Sequence, residues 1–330
     1  MHEIINEKVM KKISILIPCY NEEENVKPMS EAIVNLFVSE LTEYDYELIF
    51  IDNDSKDKTR ELLREICEGN NHIKAIFNAK NFGQFNSPYY GILQTTGDCV
   101  VSMVCDFQDP IELIPQYVKE WENGYKIVIG VKDQSDESKI MYGLRSIYYN
   151  LIKKFSNVEQ IRHFTGSGLY DREFVEILRN LNDPTPFLRG IVAEFGYKVK
   201  TISYKQPQRR AGKTHNNFYT LYDAAMLSFT SYTKIGLRLA TFMGMGIGVI
   251  SGLIGLAYLI LKLLFWNKFT AGYAPMMIGM FFLGAVQLFF LGFIGEYIMS
   301  MNQRIMNRPL VIEAERIGVW DKKDREQKHE

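Results

Sequence analysis

The sequence predicts an α/β domain built on a parallel sheet, followed by a transmembrane hairpin of two apolar helices. Three observations carry this. Short apolar runs alternate with amphipathic helical patterns over the first two-thirds of the 330 residues. Those runs are continuously apolar, as in strands covered on both faces. From Ile235 to Ser300 the chain is almost free of charge, and then it turns polar again.

The elements follow in order. Ile13–Pro18 reads as a strand, with a helix from about Glu24 to Val38. Glu47–Asp52 is a strand and Lys56–Glu68 a helix; Ile73–Phe77 is a strand and Gln84–Gln94 a helix. Cys99–Val104 and Ile111–Trp121 repeat the pattern, as do Lys126–Val131 and the long helix Lys139–Phe155. Asn216 to Tyr232 mixes aromatic and aliphatic residues with few charges, which suits an amphipathic helix in a membrane interface. A core helix is the other reading.

Ile235–Leu264 is broken only by Arg238 and Lys262, and Pro275–Met299 is a second apolar stretch. About 20 apolar residues span a bilayer core. The connection, Phe265 to Ala274, holds Trp266, Lys268 and Tyr273, which suit an interface turn. Two buried helices of a soluble protein are the other reading. Lys234, Arg238, Arg304 and Arg308 flank the pair and place both termini in the cytoplasm. The expected organisation is a catalytic domain at 1–215, an interfacial helix at 216–233, two transmembrane helices within 235–300 and a cytoplasmic tail at 301–330. Gly244, Gly248 and Gly252 share one helix face, suited either to packing within the hairpin or to a homo-oligomer. Glu296 lies near the cytoplasmic end, where it can snorkel; Gln287 is deeper and faces a helix.

Net charge is −1, and no nucleic-acid partner is expected. Met1–Lys12 is charged and the following apolar run is too short for a signal peptide. The four cysteines, Cys19, Cys67, Cys99 and Cys105, have neither metal-ligand spacing nor a disulfide framework. They fit small buried apolar side chains in a reducing compartment.

Ligands of parallel sheets bind beyond the carboxyl ends of the strands. Three such ends are polar: Pro18-Cys19-Tyr20-Asn21-Glu22-Glu23, Asp52-Asn53-Asp54-Ser55-Lys56-Asp57 and Asp106-Phe107-Gln108-Asp109-Pro110. Each alone is also an ordinary turn or cap; together they mark a site. A dinucleotide or phosphate-loop glycine motif is absent.

With Asn81-Phe82-Gly83-Gln84, these motifs resemble family-2 glycosyltransferases of the GT-A fold. Thr165-Gly166-Ser167-Gly168-Leu169-Tyr170-Asp171-Arg172 and Arg209-Arg210-Ala211-Gly212-Lys213-Thr214, followed by two membrane helices, narrow the resemblance to polyprenyl-phosphate glycosyltransferases. That group includes dolichyl-phosphate mannose synthases and bactoprenol glucosyltransferases. The resemblance covers about residues 12 to 308. It implies a UDP- or GDP-linked sugar donor bound by Pro18, Tyr20, Glu22, Asp52, Asn53, Asn81, Gln84 and Asp106. It implies Mg²⁺ or Mn²⁺ on Asp106 and Gln108, and a polyprenyl phosphate acceptor held by Arg209; Arg145 is a second candidate for that phosphate, and Lys213 a third where His215 stands in place of the family's usual Lys. Asp106, Arg209 and Arg145 are then the catalytic residues. The implied place is the cytoplasmic face of the inner membrane, in a multi-pass protein serving cell-envelope polysaccharide. Two departures stand out. Asn53 and Asp54 replace the second Asp and the Gly of the family's Asp-Asp-Gly-Ser, and Val104 replaces the first Asp of its Asp-x-Asp.

The chemistry agrees. A departing diphosphate needs a hard cation with oxygen ligands. A phosphate monoester is largely a dianion at neutral pH and attacks without a general base, so the enzyme needs cations and orientation. From Tyr197 to Lys213 the chain has Lys198, Lys200, Lys205, Arg209, Arg210 and Lys213 and no acid; a juxtamembrane stretch attracted to anionic lipid is compatible with this. A hydroxyl acceptor would instead require a base, with Asp109 or Asp171 as candidates. A non-catalytic membrane scaffold is the remaining alternative, resting on the missing Asp.

Overall fold

The computed structural model describes residues 10–132, 161, 164–207, 210, 218–232, 235–265 and 273–320. The chain separates into two compact units, a sheet unit and a helical unit whose described residues fall within Asn217–Met306. The described residues of the sheet unit fall within Met1–Tyr149, Glu159–Asn216 and Asn307–Glu330.

Its strands are β1 (Lys12–Cys19), β2 (Asp45–Asp52), β3 (Ile73–Asn78), β4 (Cys99–Ser102), β5 (Ile127–Lys132), β6 (Phe164–Asp171), β7 (Val199–Tyr204) and β8 (Glu313–Ile317). They form one sheet in the order β7-β5-β6-β4-β1-β2-β3-β8. The centre is parallel: β2 and β4 flank β1, and β3 flanks β2. Helices α1 (Val26–Ser39), α2 (Thr59–Gly69), α3 (Gly83–Leu93), α4 (Leu113–Glu122), α5 (Arg172–Leu181) and α6 (Leu188–Glu194) belong to this unit. Successive strand residues feed opposite cores. Ile13, Ile15, Ile17, Leu48 and Phe50 join one apolar cluster, while Leu16, Ile49 and Ile51 join the other. Double coverage is why these runs show no polar alternation.

The outer strands add what the parallel expectation did not contain. β6 is antiparallel to both β4 and β5, and β8 is antiparallel to β3. Glycine disguises β6: a Cβ at Gly168 would sit 2.5 Å from the Val128 carbonyl oxygen, so only glycine fits that ladder. β8 lies in the segment 301–330 that reads as a tail. Ala79 N–H donates to the Ile312 carbonyl at 2.8 Å. Tyr90 donates to Glu313 at 2.7 Å, and Arg316 reaches Gln94 at 2.7 Å. Buried Trp320 lies against Arg316 and Lys74, 4.3 and 4.8 Å from its ring centre. The helix expected at Lys139–Phe155 lies outside the described residues.

At the amino end of the sheet, Glu47 and Lys74 form a buried ion pair of 2.6 Å. Ser14 Oγ and Thr96 N–H each donate to Glu47 at 2.6 Å. Burial pushes this carboxyl up, but Lys74 and these hydrogen bonds outweigh it and bring the pKa down to about 2.

The helical unit contains α7 (Phe218–Tyr232), α8 (Ile235–Leu264) and α9 (Tyr273–Ile305). Within α9, Phe282–Ile305 has a mean hydropathy of 1.7 and is long enough to cross a bilayer. It is the one such span among the described residues; Thr241–Ala257 of α8 is a shorter apolar run. Tyr222 donates to Glu296 at 3.2 Å. Cβ atoms at Gly244 and Gly248 would meet nothing within 4 Å.

Candidate functional site

The candidate site is built at the carboxyl ends of β1 to β4, and hydrogen bonds merge its loops. Asn21, at φ 56°, donates its N–H to Ser55 Oγ and accepts from Lys56 N–H, both at 2.8 Å. Glu22 N–H donates to Thr59 Oγ1 at 2.9 Å, and Glu23 N–H to Asp57 at 3.2 Å. Lys58 N–H returns to Glu23 at 2.9 Å. Tyr20 and Glu22 are half-buried in this joined loop, and Pro18 pairs with Ile51 in the ladder just below.

Asp52 is fully buried. Its carboxylate accepts from Ser55 N–H at 3.2 Å and from Arg60 Nε at 2.6 Å. Arg60 Nη2 continues to the Asn78 carbonyl at 2.6 Å, so one arginine ties the end of β2 to the end of β3. Asp54 adopts φ 69°, the left-handed turn that glycine supplies in the family motif. Asn53 bonds to the 78–83 loop, including Asn81, and Gln84 is exposed in the first turn of α3.

Beyond β4, Asp106 is 3 % exposed and accepts from Gln108 N–H at 3.1 Å. Phe107 between them has φ 59°, uncommon for a bulky residue. This turn holds two oxygen-bearing side chains two residues apart. A carboxylate and an amide oxygen suit Mg²⁺ or Mn²⁺, and Mg²⁺ usually takes one or two protein ligands. Val104 is exposed, and among the described residues no group of three or more His, Cys, Asp or Glu could hold a metal. The donor set therefore fits a cation shared with a ligand's phosphates.

Asp109 sits buried at the end of this turn. It accepts from Tyr204 Oη at 2.5 Å and from Val104 N–H at 3.3 Å. Burial pushes its carboxyl up, and the Tyr204, Val104 and Ser167 hydrogen bonds offset this in part. Asp171 caps α5 by accepting from Glu173 N–H at 3.0 Å, and it binds Trp121 Nε1 at 2.7 Å and Lys126 at 3.0 Å.

Of the basic run, Lys200 is committed to Glu120 at 3.3 Å. Arg210 N–H donates to the Asp106 carbonyl at 3.4 Å, and its guanidinium lies 5.3 Å from the Phe107 ring centre. Arg145, Arg209 and Lys213 lie outside the described residues. Sequence reasoning missed Arg60, Asn78 and Tyr204. Arg60, eight residues after Asp52 in the first turn of α2, is the one whose spacing signals its role.

Residues 14–178 match the family model described as glycosyl transferase family 2. The bactoprenol glucosyl transferase of Shigella phage SfX is 31% identical over 299 residues, covering 90% of this chain and 97% of its own length. A prophage bactoprenol glucosyl transferase homolog of Escherichia coli strain K12 is 29% identical over 302 residues, covering 91% and 98%. A looser likeness in fold alone is to the glucosyl-3-phosphoglycerate synthase of Mycobacterium tuberculosis, solved with Mg²⁺ and UDP. It has 18% identity and a TM-score of 0.44, covering 67% of this chain and 77% of that one. The α/β sheet, its strand-end loops and the sequence matches define a glycosyltransferase. The chain belongs to glycosyl transferase family 2.

Proposed function

We propose that this enzyme transfers a sugar from a UDP- or GDP-linked donor to polyprenyl phosphate at the cytoplasmic face of the membrane, with inversion at the anomeric carbon. The observation that carries the reading is the match to bactoprenol glucosyl transferases over 90% of this chain. The site chemistry supports it. The two candidates for the base that a hydroxyl acceptor would need are both engaged elsewhere, Asp171 in capping α5 and Asp109 with Tyr204 and Val104. A phosphate acceptor needs no base, because its oxygen is already anionic.

Asp106 and Gln108 would hold the divalent cation, which when bound supplies charge neutralisation to the departing diphosphate. The Tyr20–Glu23 and Asp52–Thr59 loops orient the nucleotide. Arg209, Lys213 and Arg145 hold the acceptor phosphate against its repulsion from the donor, bidentately where arginine is used.

Chain topology supports a membrane hairpin. The chain leaves the sheet after β7 and rejoins it at β8, which is hydrogen-bonded to β3. An odd number of crossings between those points would put strands of one sheet on opposite sides of a bilayer. If Phe282–Ile305 spans, α8 provides the return crossing and α7 lies in the interface. The direct test offers the purified full chain a panel of labelled nucleotide-sugars with polyprenyl phosphate or polyprenol, with and without chelator. Metal-dependent product with the phosphate alone, β-linked from an α-linked donor by NMR, is expected. Transfer to polyprenol, or retention of configuration, overturns the proposal.

A further inference from the structure

We propose that Asn53 is a positioning residue, bracing the Asn78–Gly83 loop against the end of β2, and that the loop requires an amide here rather than the carboxylate of the family motif. Asn53 is 8 % exposed, and both ends of its side chain are used. Nδ2 donates to Asn81 Oδ1 at 2.9 Å and to the Gly83 carbonyl at 3.2 Å. Oδ1 accepts from Phe82 N–H at 2.9 Å and from Asn78 Nδ2 at 3.1 Å.

Backbone groups fix which end is which. The Phe82 N–H can only donate and the Gly83 carbonyl can only accept. Turning the amide over would set nitrogen against a donor and oxygen against an acceptor. The orientation then passes outward. Asn78 must present its nitrogen to Asn53 Oδ1, and that nitrogen also donates to Ser87 Oγ at 2.9 Å in α3. Asn81 must present its oxygen, which also accepts from Gly83 N–H at 2.8 Å. Four hydrogen bonds from one side chain therefore hold the segment that enters α3, whose first residue, Gly83, has φ 89°.

A carboxylate at position 53 has no hydrogen to give. It could still accept from Phe82 and Asn78, but the Gly83 carbonyl and Asn81 Oδ1 would each lose one donor and face a negative oxygen. Two of the four bonds of the brace would be lost and replaced by repulsion between oxygens. The amide thus explains the departure from the family's second Asp by what it touches. It differs from a base-reading role, in which a carboxylate would serve as well or better by accepting an imide N–H.

The link to donor binding rests on the proposed function; the brace itself does not. The experiment uses Asn53→Asp in the full chain in detergent, with two readouts. Without ligand, hydrogen exchange over residues 78–87 is compared with wild type at pH 7 and pH 5. Exchange about ten-fold faster at pH 7 is expected, with the ratio falling at pH 5 as the introduced carboxyl gains a proton it can donate. In titrations with UDP- and GDP-sugars, KM for the donor should rise about ten-fold with kcat largely kept. Unchanged exchange, or equal or tighter donor binding, overturns the proposal and makes position 53 a direct reader of the base. If the variant does not fold, Asn81→Ala must show loosening confined to the same segment. If wild type binds no nucleotide-sugar, the functional reading fails while the ligand-free exchange still decides the brace.

Discussion

The same three strands are held differently at their two ends. At the carboxyl ends of β1, β2 and β3 the loops are joined by many bonds between side chains and backbone: Asn21 to Ser55 and Lys56, Glu22 to Thr59, Asn53 to Phe82 and Gly83. Most of these partners are neutral, and they range from buried Ser55, Thr59 and Asn53 to exposed Lys56 and Gly83. At the amino ends a buried carboxylate and ammonium, Glu47 and Lys74, join β2 to β3 at 2.6 Å, with Ser14 of β1 donating to Glu47. Both ends carry a buried carboxylate, Asp52 with Arg60 at 2.6 Å at the carboxyl end and Glu47 with Lys74 at the amino end. They differ in the cation, which is about a quarter exposed in Arg60 and buried in Lys74. Breaking a buried pair costs about 3–5 kcal/mol.

The largest expected effect lies at the binding end. Asp106→Ala removes the carboxylate that would share a cation with the donor diphosphate. Losing several kcal/mol of transition-state stabilisation lowers the rate on the order of 10³-fold. The thermal midpoint should move far less than activity, because the bond from Gln108 N–H is a local one within the turn. A variant that keeps its activity would remove Asp106 from the chemistry. One that unfolds instead would make the two ends alike.

Lys74→Met inverts the pattern. It leaves buried Glu47 with the more distant Lys12, 3.5 Å away, and about 3 kcal/mol of stability, the low end for breaking a buried pair, should be lost near neutral pH. KM for the donor should stay as in wild type in whatever fraction remains folded. The pH dependence has a definite sign. Glu47 is held down at about 2 in the folded chain, below the ordinary carboxylate value of about 4.3. Its stabilising share is therefore present above that value and lost as pH falls toward 2. The gap between variant and wild type should close over that acid window in thermal denaturation. A gap independent of pH there would mean that Lys74 contributes packing against Trp320 rather than charge.

How legible each region was depended on whether its order is local. β1 to β4 and the helices between them were readable because buried parallel strands are unbroken apolar runs. The Asp106–Gln108 turn was readable because its residues are adjacent. β6 was not: Gly166, Ser167 and Gly168 look like a loop, and the demand for glycine arises from the Val128 carbonyl across the ladder. β8 was not either, since Glu-Ala-Glu-Arg-Ile is polar and pairs with a strand more than 200 residues earlier. Asn53 was visible as a departure, but its meaning depends on Gly83 and Phe82, which no spacing connects to it. Of the basic run expected to meet the acceptor phosphate, the described residues include Arg210 beside Phe107.

The smallest effect tests a residue that touches the binding end from below. Tyr204, on β7, donates its hydroxyl to Asp109 at 2.5 Å, and Asp109 in turn accepts from the N–H of Val104 at the start of the Asp106 turn. Tyr204→Phe removes the hydroxyl and leaves one oxygen of a buried carboxylate without that donor, which costs about 1–3 kcal/mol. The carboxyl of Asp109 is already raised by burial, and the Tyr204 hydrogen bond works against that rise. Without it the folded-state pKa climbs further. A group raised on folding gives its stability fully below its unfolded value, and that stability is lost as pH rises through the folded value. The variant should therefore approach wild-type stability in acid and fall behind as pH rises. Because the Asp106 turn shares Asp109, KM for the donor should rise a few-fold at neutral pH and recover on mild acidification. Thermal midpoints and donor titrations across pH 4 to 8 check both. A stability loss of the same size at every pH would show that Asp109 keeps one charge state throughout, and the binding end would then be uncoupled from the carboxylate beneath it.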